Sequence, residues 1–139
     1  MSNKITALAR HLDLERGERQ DIEQGYDDNI FEYGDEYLVV TDAQADAAAA
    51  EEIEQTLWAF NADFLEGYVP LPAIAIKAVQ NAMYEDAAPV FRALFTDEEF
   101  AEFVQDAISA DGRGHYLSTY DGAEHEETVG RTTYYIYKR

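Results

Sequence analysis

The apolar positions near the start of the chain recur with the spacing of one helix face. From Ile5 onward they follow at i+3, i+4 and i+7, which predicts an amphipathic helix from about Asn3 to Leu14. After a polar connector, the segments NIFEY and EYLVV flank Gly34 and Asp35. Aromatic and β-branched residues on both sides of a glycine-containing turn predict a β-hairpin.

The central part of the chain has the pattern of several helices. A segment that is rich in alanine and free of glycine and proline predicts one helix from Ala43 to about Leu65. Its core face should be formed by Ile53, Leu57, Phe60 and Phe64. Pro72 suits the first turn of another helix, which we expect to run through about Tyr84. A short helix over residues 89–95 should follow.

The last third of the chain begins with the clearest helix signal. Thr96 and Glu99 form a capping box, and apolar residues with helical spacing follow it. We expect this helix to end near Gly112, because glycine readily adopts the left-handed conformation. The segments HYLSTY and TTYYIYK lie on either side of a turn at Asp121 and Gly122, and their aromatic content predicts strands.

Together these patterns predict an α+β fold. A small antiparallel sheet, made of the hairpin and the C-terminal strands, should pack with about four to five helices. The chain has 139 residues, of which 47% are hydrophobic, so it can bury one core. We therefore expect a single domain over residues 1–139.

Composition excludes several classes of function. The chain has no cysteine, which rules out disulfides, thiolate metal sites and cysteine nucleophiles. No apolar run is long enough to span a bilayer, and the N-terminus lacks the pattern of a signal peptide. We expect a cytoplasmic protein that has no membrane partner.

The charge is the feature that departs most from an ordinary domain. There are 29 acidic residues and 10 lysines and arginines, which give a formal net charge of -19. No lysine or arginine lies between Arg19 and Lys77, so the carboxylates of that stretch have no cation nearby in the sequence. Direct binding to nucleic acid is disfavoured, because phosphates must be neutralised by cations. A basic, nucleic-acid-binding protein is the expected partner.

Carboxylates cluster on the polar faces of two predicted helices. On the capping-box helix they recur at i, i+4 and i+8, a spacing at which like charges repel by about 0.2–0.5 kcal/mol per pair. On the helix predicted from Ala43 to Leu65 they lie opposite the apolar face. An ordinary solvated face is the alternative explanation. We expect a partner-binding surface that comprises Glu51, Glu52, Asp63, Glu66, Glu98, Glu102 and Asp106.

A second candidate site consists of His115, Asp121 and His125, which lie close together in the sequence. These residue types can hold a metal or exchange protons, so a small metal-dependent enzyme is an alternative function. Their spacing matches no known ligand pattern, since HEE lacks the second histidine of H-E-x-x-H. Polar residues in a turn and at a strand edge are the favoured interpretation, and no cofactor or metal is expected.

Several stretches resemble a group of small acidic proteins from tailed phages and prophages. They are DNIFEYGDEYLVVTDAQADAAA, LWAF, ADGRGHYLSTYDGAEHE and the ending YYIYKR, and GRGHYLSTYDG is the most distinctive string among them. The resemblance covers the central and C-terminal two-thirds of the chain and supplies no catalytic residues. It implies a mobile-element origin. Small acidic proteins of such elements are often inhibitors of host defence, and some imitate nucleic acid.

The charge and the resemblance together predict a non-enzymatic inhibitor of a bacterial defence complex, of the anti-CRISPR or anti-restriction type. It would act stoichiometrically in the host cytosol by presenting a DNA-mimicking acidic surface to a basic nucleic-acid channel. A phage accessory protein whose acidity reflects a salt-adapted host is a further alternative, because an acidic surface maintains solubility.

Overall fold

The computed structural model describes residues 2–139 and shows an α+β fold. Within these residues the α-helices are α1 (Asn3–His11), α2 (Asp42–Gln55), α3 (Ala62–Glu66), α4 (Ala73–Met83), α5 (Ala87–Ala93), α6 (Asp97–Asp111) and α7 (Arg113–Leu117). The strands are β1 (Glu23–Gln24), β2 (Ile30–Tyr33), β3 (Asp35–Thr41), β4 (His125–Val129) and β5 (Thr132–Lys138). Short 3-10 helices cover Arg16–Asp21, Leu57–Ala59 and Tyr84–Asp86. No helix in the described chain is long and apolar enough to cross a membrane.

The strands form one antiparallel sheet in the order β1-β2-β3-β5-β4. The predicted hairpin is confirmed as β2 and β3, and Gly34 takes the positive φ of 74° that their tight turn requires. The predicted C-terminal strand is confirmed as β5, which lies between β3 and β4. The sheet thus joins the hairpin to the C-terminal strands as the sequence predicts.

The chain divides into two compact units. The first, called the sheet unit, comprises the chain up to Ala48 together with Asp111–Arg139, and the second, called the helical unit, comprises Ala49–Ala110. In the sheet unit, α1 packs on the sheet and buries Leu8 against a core that includes Val39 and Ile136. The prediction of a single domain stays a prediction.

The helical unit is built around a cluster of aromatic rings. Phe103 of α6 is fully buried, and its ring centroid lies 5.0–6.2 Å from those of its aromatic neighbours. These neighbours are Phe60, Phe64, Tyr68, Phe95 and Phe100. Offset and edge-on ring pairs at such distances stabilise a core beyond the area that they bury. The predicted inward face of the capping-box helix is therefore confirmed.

The predicted helix from Ala43 to Leu65 is wrong in its extent, because the chain leaves the helix after Gln55. The Thr56 hydroxyl donates to the backbone carbonyl of Glu52 at 2.8 Å. Asn61 then caps α3 by accepting the Phe64 N–H at 3.1 Å. Threonine and asparagine offer the backbone local hydrogen bonds that compete with a continuous helix. This break divides the single helix that the sequence pattern predicts into separate, shorter helices.

The strand predicted for HYLSTY is also wrong, because Arg113–Leu117 form α7. Gly112, with φ of 83°, ends α6 as predicted, but the chain then starts another helical turn. Ser118 is buried, and its Oγ lies 2.7 Å from the Lys138 carbonyl oxygen, which ties the end of α7 to β5. The turn at Asp121 and Gly122 therefore connects α7 to β4.

Gly114 makes the closest backbone approach in this region. A Cβ at Gly114 would clash with the Gly122 carbonyl oxygen and lie 2.9 Å from the carbonyl carbon of Ala123. Because both obstacles are backbone atoms, we expect Gly114→Ala to lower the free energy of unfolding by about 2 kcal/mol, as overpacking does elsewhere. Urea denaturation followed by circular dichroism measures this change.

The matched control is Gly17→Ala, since a Cβ at Gly17 would have no atom within 4 Å. This variant should be as stable as the parent protein or slightly more so, because alanine restricts the unfolded chain. Equal stability of the two variants would contradict the close packing of α7 against residues 122–123.

Candidate functional site

All seven carboxylates predicted to bind a partner lie in the helical unit, but only those on the capping-box helix α6 share one helix as predicted. Three lie on α6. The other four are divided between α2, which carries Glu51 and Glu52, and α3, which carries Asp63 and Glu66. The prediction that these four share one helix face is wrong, because the chain leaves the helix between Thr56 and Asn61.

The row of carboxylates formed by Glu98, Glu102 and Asp106 on α6, called the ladder, has the predicted spacing on one helix. The capping box holds the start of the helix, since the Glu99 N–H donates to Thr96 Oγ1 at 3.1 Å and the Thr96 N–H donates to Glu99 Oε1 at 2.9 Å. Glu98, Glu102 and Asp106 are all exposed and lie away from the buried aromatic face. Successive members of the ladder are about 6 Å apart along the helix axis.

One member of this ladder also has a structural contact. Asp106 Oδ2 accepts a hydrogen bond from the Tyr68 hydroxyl at 2.6 Å. This hydrogen bond, together with burial and the charges of Asp106 and Glu102, raises the pKa of Tyr68 to about 12. Tyr68 therefore remains a neutral donor at physiological pH and fixes one end of the ladder.

The four acids on α2 and α3 differ in how available they are. Glu51 and Asp63 are exposed, whereas Glu52 is half-buried. Glu66 Oε2 accepts the backbone N–H of Ala73 at 3.1 Å and so caps the start of α4. Of these four carboxylates, those of Glu51 and Asp63 are the most accessible to a partner.

The helical unit carries twelve acidic residues and two basic ones, which give it a formal charge of -10. One of the two cations, Arg92, is already paired with carboxylates of the same unit. Its Nη2 lies 2.7 Å from Asp97 Oδ1, its Nε lies 3.5 Å from Glu54 Oε1, and the guanidinium stacks on Phe100. The surface field is therefore strongly negative.

In the sheet unit, the strand register creates a row of carboxylates that the sequence analysis missed. Glu32 of β2 lies directly opposite Glu23 of β1 and Glu36 of β3. Like charges in opposed positions destabilise a sheet, and here Asp21 and Asp35 line the same open cavity of about 590 Å³. The predicted turn at Gly34 and Asp35 would place Tyr33 opposite Glu36, but Tyr33 pairs with Asp35, which brings Glu32 opposite Glu36. The sequence pattern does not predict a strand at Glu23, because β1 is only two residues long.

Cations from distant parts of the chain neutralise some acids of the lysine-free stretch. In the sheet unit, Arg113 forms ion pairs with Asp42 at 2.8 Å, Asp46 at 3.1 Å and Glu124 at 2.8 Å, and it stacks on Tyr135. Its side chain is only 11% exposed. Burial alone would lower the pKa of Arg113, but the hydrogen bonds to Glu124 and Asp42 outweigh burial and raise it. This cluster is called the Arg113 clamp.

His115, Asp121 and His125 are not assembled into a metal site. The His115 ring packs edge-on against Tyr116, and Asp121 Oδ1 accepts the Ala123 N–H at 3.0 Å. That backbone hydrogen bond is the largest cause of the lowered pKa of Asp121. Among residues 2–139, no three histidine, aspartate or glutamate side chains are grouped so that they could hold a metal ion. The turn and strand-edge interpretation holds for Asp121 and for His125 on the edge strand β4, but it is wrong for His115, which lies in α7.

His125 of β4 instead pairs with His11 of α1, and their ring centroids are 4.6 Å apart. Burial, followed by the proximity of His125, lowers the pKa of His11, and Glu127 opposes this effect only in part. A depressed histidine pKa means that the unfolded chain binds the proton more readily than the folded chain. Acidification should therefore cost the folded state stability.

We expect the free energy of unfolding to fall as the pH drops from about 7.5 to about 5.5, a window around the ordinary histidine pKa and above most carboxylate pKa values. His11→Gln should flatten this dependence, because it removes the group that resists protonation. The control is His115→Gln, which replaces an exposed histidine of α7 and keeps the His11–His125 pair intact. Urea titrations at each pH give the slopes, and identical slopes for His11→Gln and the parent would contradict the pairing.

No protein-family model, curated protein or solved structure gives a significant match to the chain.

Proposed function

We propose that the protein is a non-enzymatic, stoichiometric inhibitor that binds a basic, nucleic-acid-binding protein through the carboxylates of its helical unit. The observation that supports this most is the charge of that unit: twelve acidic residues against two basic ones, of which Arg92 is held by internal carboxylates. A surface of this kind attracts cationic partners and repels phosphates.

The chemistry of carboxylates explains how such a surface can replace nucleic acid. Like phosphates, ionised carboxylates only accept hydrogen bonds, and both form bidentate pairs with arginine. On α6 the exposed Glu98, Glu102 and Asp106 repeat along a rigid axis about 6 Å apart, so a row of arginines or lysines can engage them together. The partner's groove would then be closed to its own nucleic acid.

The resemblance to proteins of tailed phages and prophages supports a bacterial defence complex, of the restriction or CRISPR type, as the target. The site of action would then be the host cytosol. The alternative enzyme built on His115, Asp121 and His125 has no comparable support, since these side chains are not grouped as metal ligands in the described chain.

Neutralising the α6 ladder tests this proposal. Glu98→Gln, Glu102→Gln and Asp106→Asn combined should slow association with the target by about tenfold and reduce its salt dependence, because steering depends on the summed field. Glu102→Gln alone should have less than about a twofold effect for the same reason. The amide of Asp106→Asn can still accept from Tyr68, so the triple variant should fold as well as the parent.

The control removes three exposed charges from the sheet unit, as Asp13→Asn, Asp28→Asn and Glu126→Gln. Restriction and CRISPR effector proteins are captured on each tagged variant at low and high salt, and complexes are counted by native mass spectrometry. The proposal fails if the parent forms no salt-sensitive complex with these effectors. It also fails if the α6 triple variant binds like the parent, in which case the acidity reflects solubility in a salt-rich cytosol.

A further inference from the structure

A groove between α2 and α5 combines apolar and acidic character within the helical unit. It has a volume of about 700 Å³, within the usual range of pockets that bind small ligands or side chains. Its lining combines apolar residues, here called the floor, with three carboxylates, here called the rim: the floor is Ala88, Pro89, Ala93 and Phe95, and the rim is Glu51, Glu54 and Glu85. Gln55 and Arg92 complete the lining, so its charged groups are three carboxylates and one guanidinium. An apolar floor with an acidic rim distinguishes this groove from the purely polar ladder on α6.

The rim carboxylates are poorly satisfied by the protein itself. The Glu85 carboxylate makes no hydrogen bond or ion pair with any of residues 2–139, although the backbone carbonyl of Glu85 accepts the Ala87 N–H. The hydrogen bond that Glu51 accepts from Gln55 is long, at 3.5 Å. Glu54 lies 3.5 Å from Arg92, whose shorter contact is the 2.7 Å ion pair with Asp97. The rim therefore retains most of its capacity to bind a cation.

We propose that this groove binds an arginine or lysine side chain, together with its apolar neighbours, from a protein segment of the partner. The inference rests on the proposed function and gives it an anchoring point. Lysine and arginine have an apolar stem and a charged end. The stem fits against Pro89 and Ala93, while the charged end meets Glu51 and Glu85 at the rim.

Other occupants suit the groove less well. A nucleic acid would place phosphates against three carboxylates. A wholly apolar segment would displace water from those carboxylates without supplying a partner, which costs free energy. A cationic segment with apolar residues satisfies both parts of the groove.

Two fluorescein-labelled probes test the groove: a decapeptide of alternating arginine and leucine, and an analogue in which every leucine is replaced by serine. Both carry the same charge. Fluorescence anisotropy should show that the parent protein binds the leucine peptide about fivefold more tightly, since only that peptide can use the apolar floor. Ala93→Gln, which fills the groove without changing the charge, should abolish the difference.

Double variants, each of which replaces two carboxylates by amides, locate the binding site of the peptide. Glu51→Gln with Glu85→Gln should weaken binding of the leucine peptide about tenfold, and Glu98→Gln with Glu102→Gln on α6 should weaken it about two- to threefold through the field alone. The control, Asp13→Asn with Glu126→Gln in the sheet unit, should have the smallest effect. Amide resonances of Ala88, Ala93 and Phe95 in ¹⁵N-labelled protein should shift when the leucine peptide is added.

The outcomes separate the two proposals. Equal weakening by the groove pair and the α6 pair, or equal affinity for the two peptides, overturns the groove and leaves the proposed function standing. Failure of the parent to bind either peptide even at low salt overturns the groove and also removes support for an acidic binding surface.

Discussion

Repulsion among carboxylates is the constraint to which the rest of this molecule responds. With 29 acids and 10 lysines and arginines, a cation that serves only one acid leaves much of the charge unopposed. Two arginines each contact several groups. Arg113 forms ion pairs with three carboxylates and stacks on a tyrosine ring, and Arg92 forms ion pairs with two carboxylates and stacks on a phenylalanine ring. Arginine suits this role, because its planar guanidinium donates in several directions and stacks on aromatic faces.

The Arg113 clamp also explains the most distinctive string in the sequence, GRGHYLSTYDG. Gly112 supplies a positive φ, Gly114 allows the close approach to residues 122–123, and Ser118 ties α7 to β5. The tyrosines of β5 belong to the same arrangement, since Tyr135 lies under the guanidinium and the Tyr137 hydroxyl donates to Glu124. Burial, then the hydrogen bond to Glu124, raises the pKa of Tyr137, so that it remains a donor. The string is thus accounted for by folding.

Local chemistry made part of this structure predictable. The hairpin, the capping box at Thr96 and Glu99, and the glycine that ends α6 each depend on residues within a few positions of one another. The exposure of the α6 acids followed from the same periodicity. By contrast, α7 depends on Ser118 reaching Lys138 and on Gly114 meeting residues 122–123, which are contacts that no local pattern encodes.

The break in the helix predicted from Ala43 to Leu65 shows a related limit. Alanine content and the absence of glycine and proline favour a continuous helix, but they do not weigh the side-chain hydrogen bonds of Thr56 and Asn61. The same break leaves Glu51 on α2, in the lining of the groove, and moves Asp63 and Glu66 to a separate helix. Strand register likewise determines the positions of Glu23 and Glu36, which lie opposite Glu32 only in the folded sheet.

In the proposed complex, the acidic surfaces of the helical unit would act in different steps of binding. The α6 ladder is exposed and polar, so its effect is a field that acts at a distance, raises the rate of encounter and weakens with salt. The groove between α2 and α5 has an apolar floor that a partner would remove from water only on contact, so in the proposed complex it would govern dissociation instead. A surface with the ladder alone would bind many basic proteins fast and briefly. In the proposed complex the groove would add a shape requirement, so that the two surfaces together would favour one target.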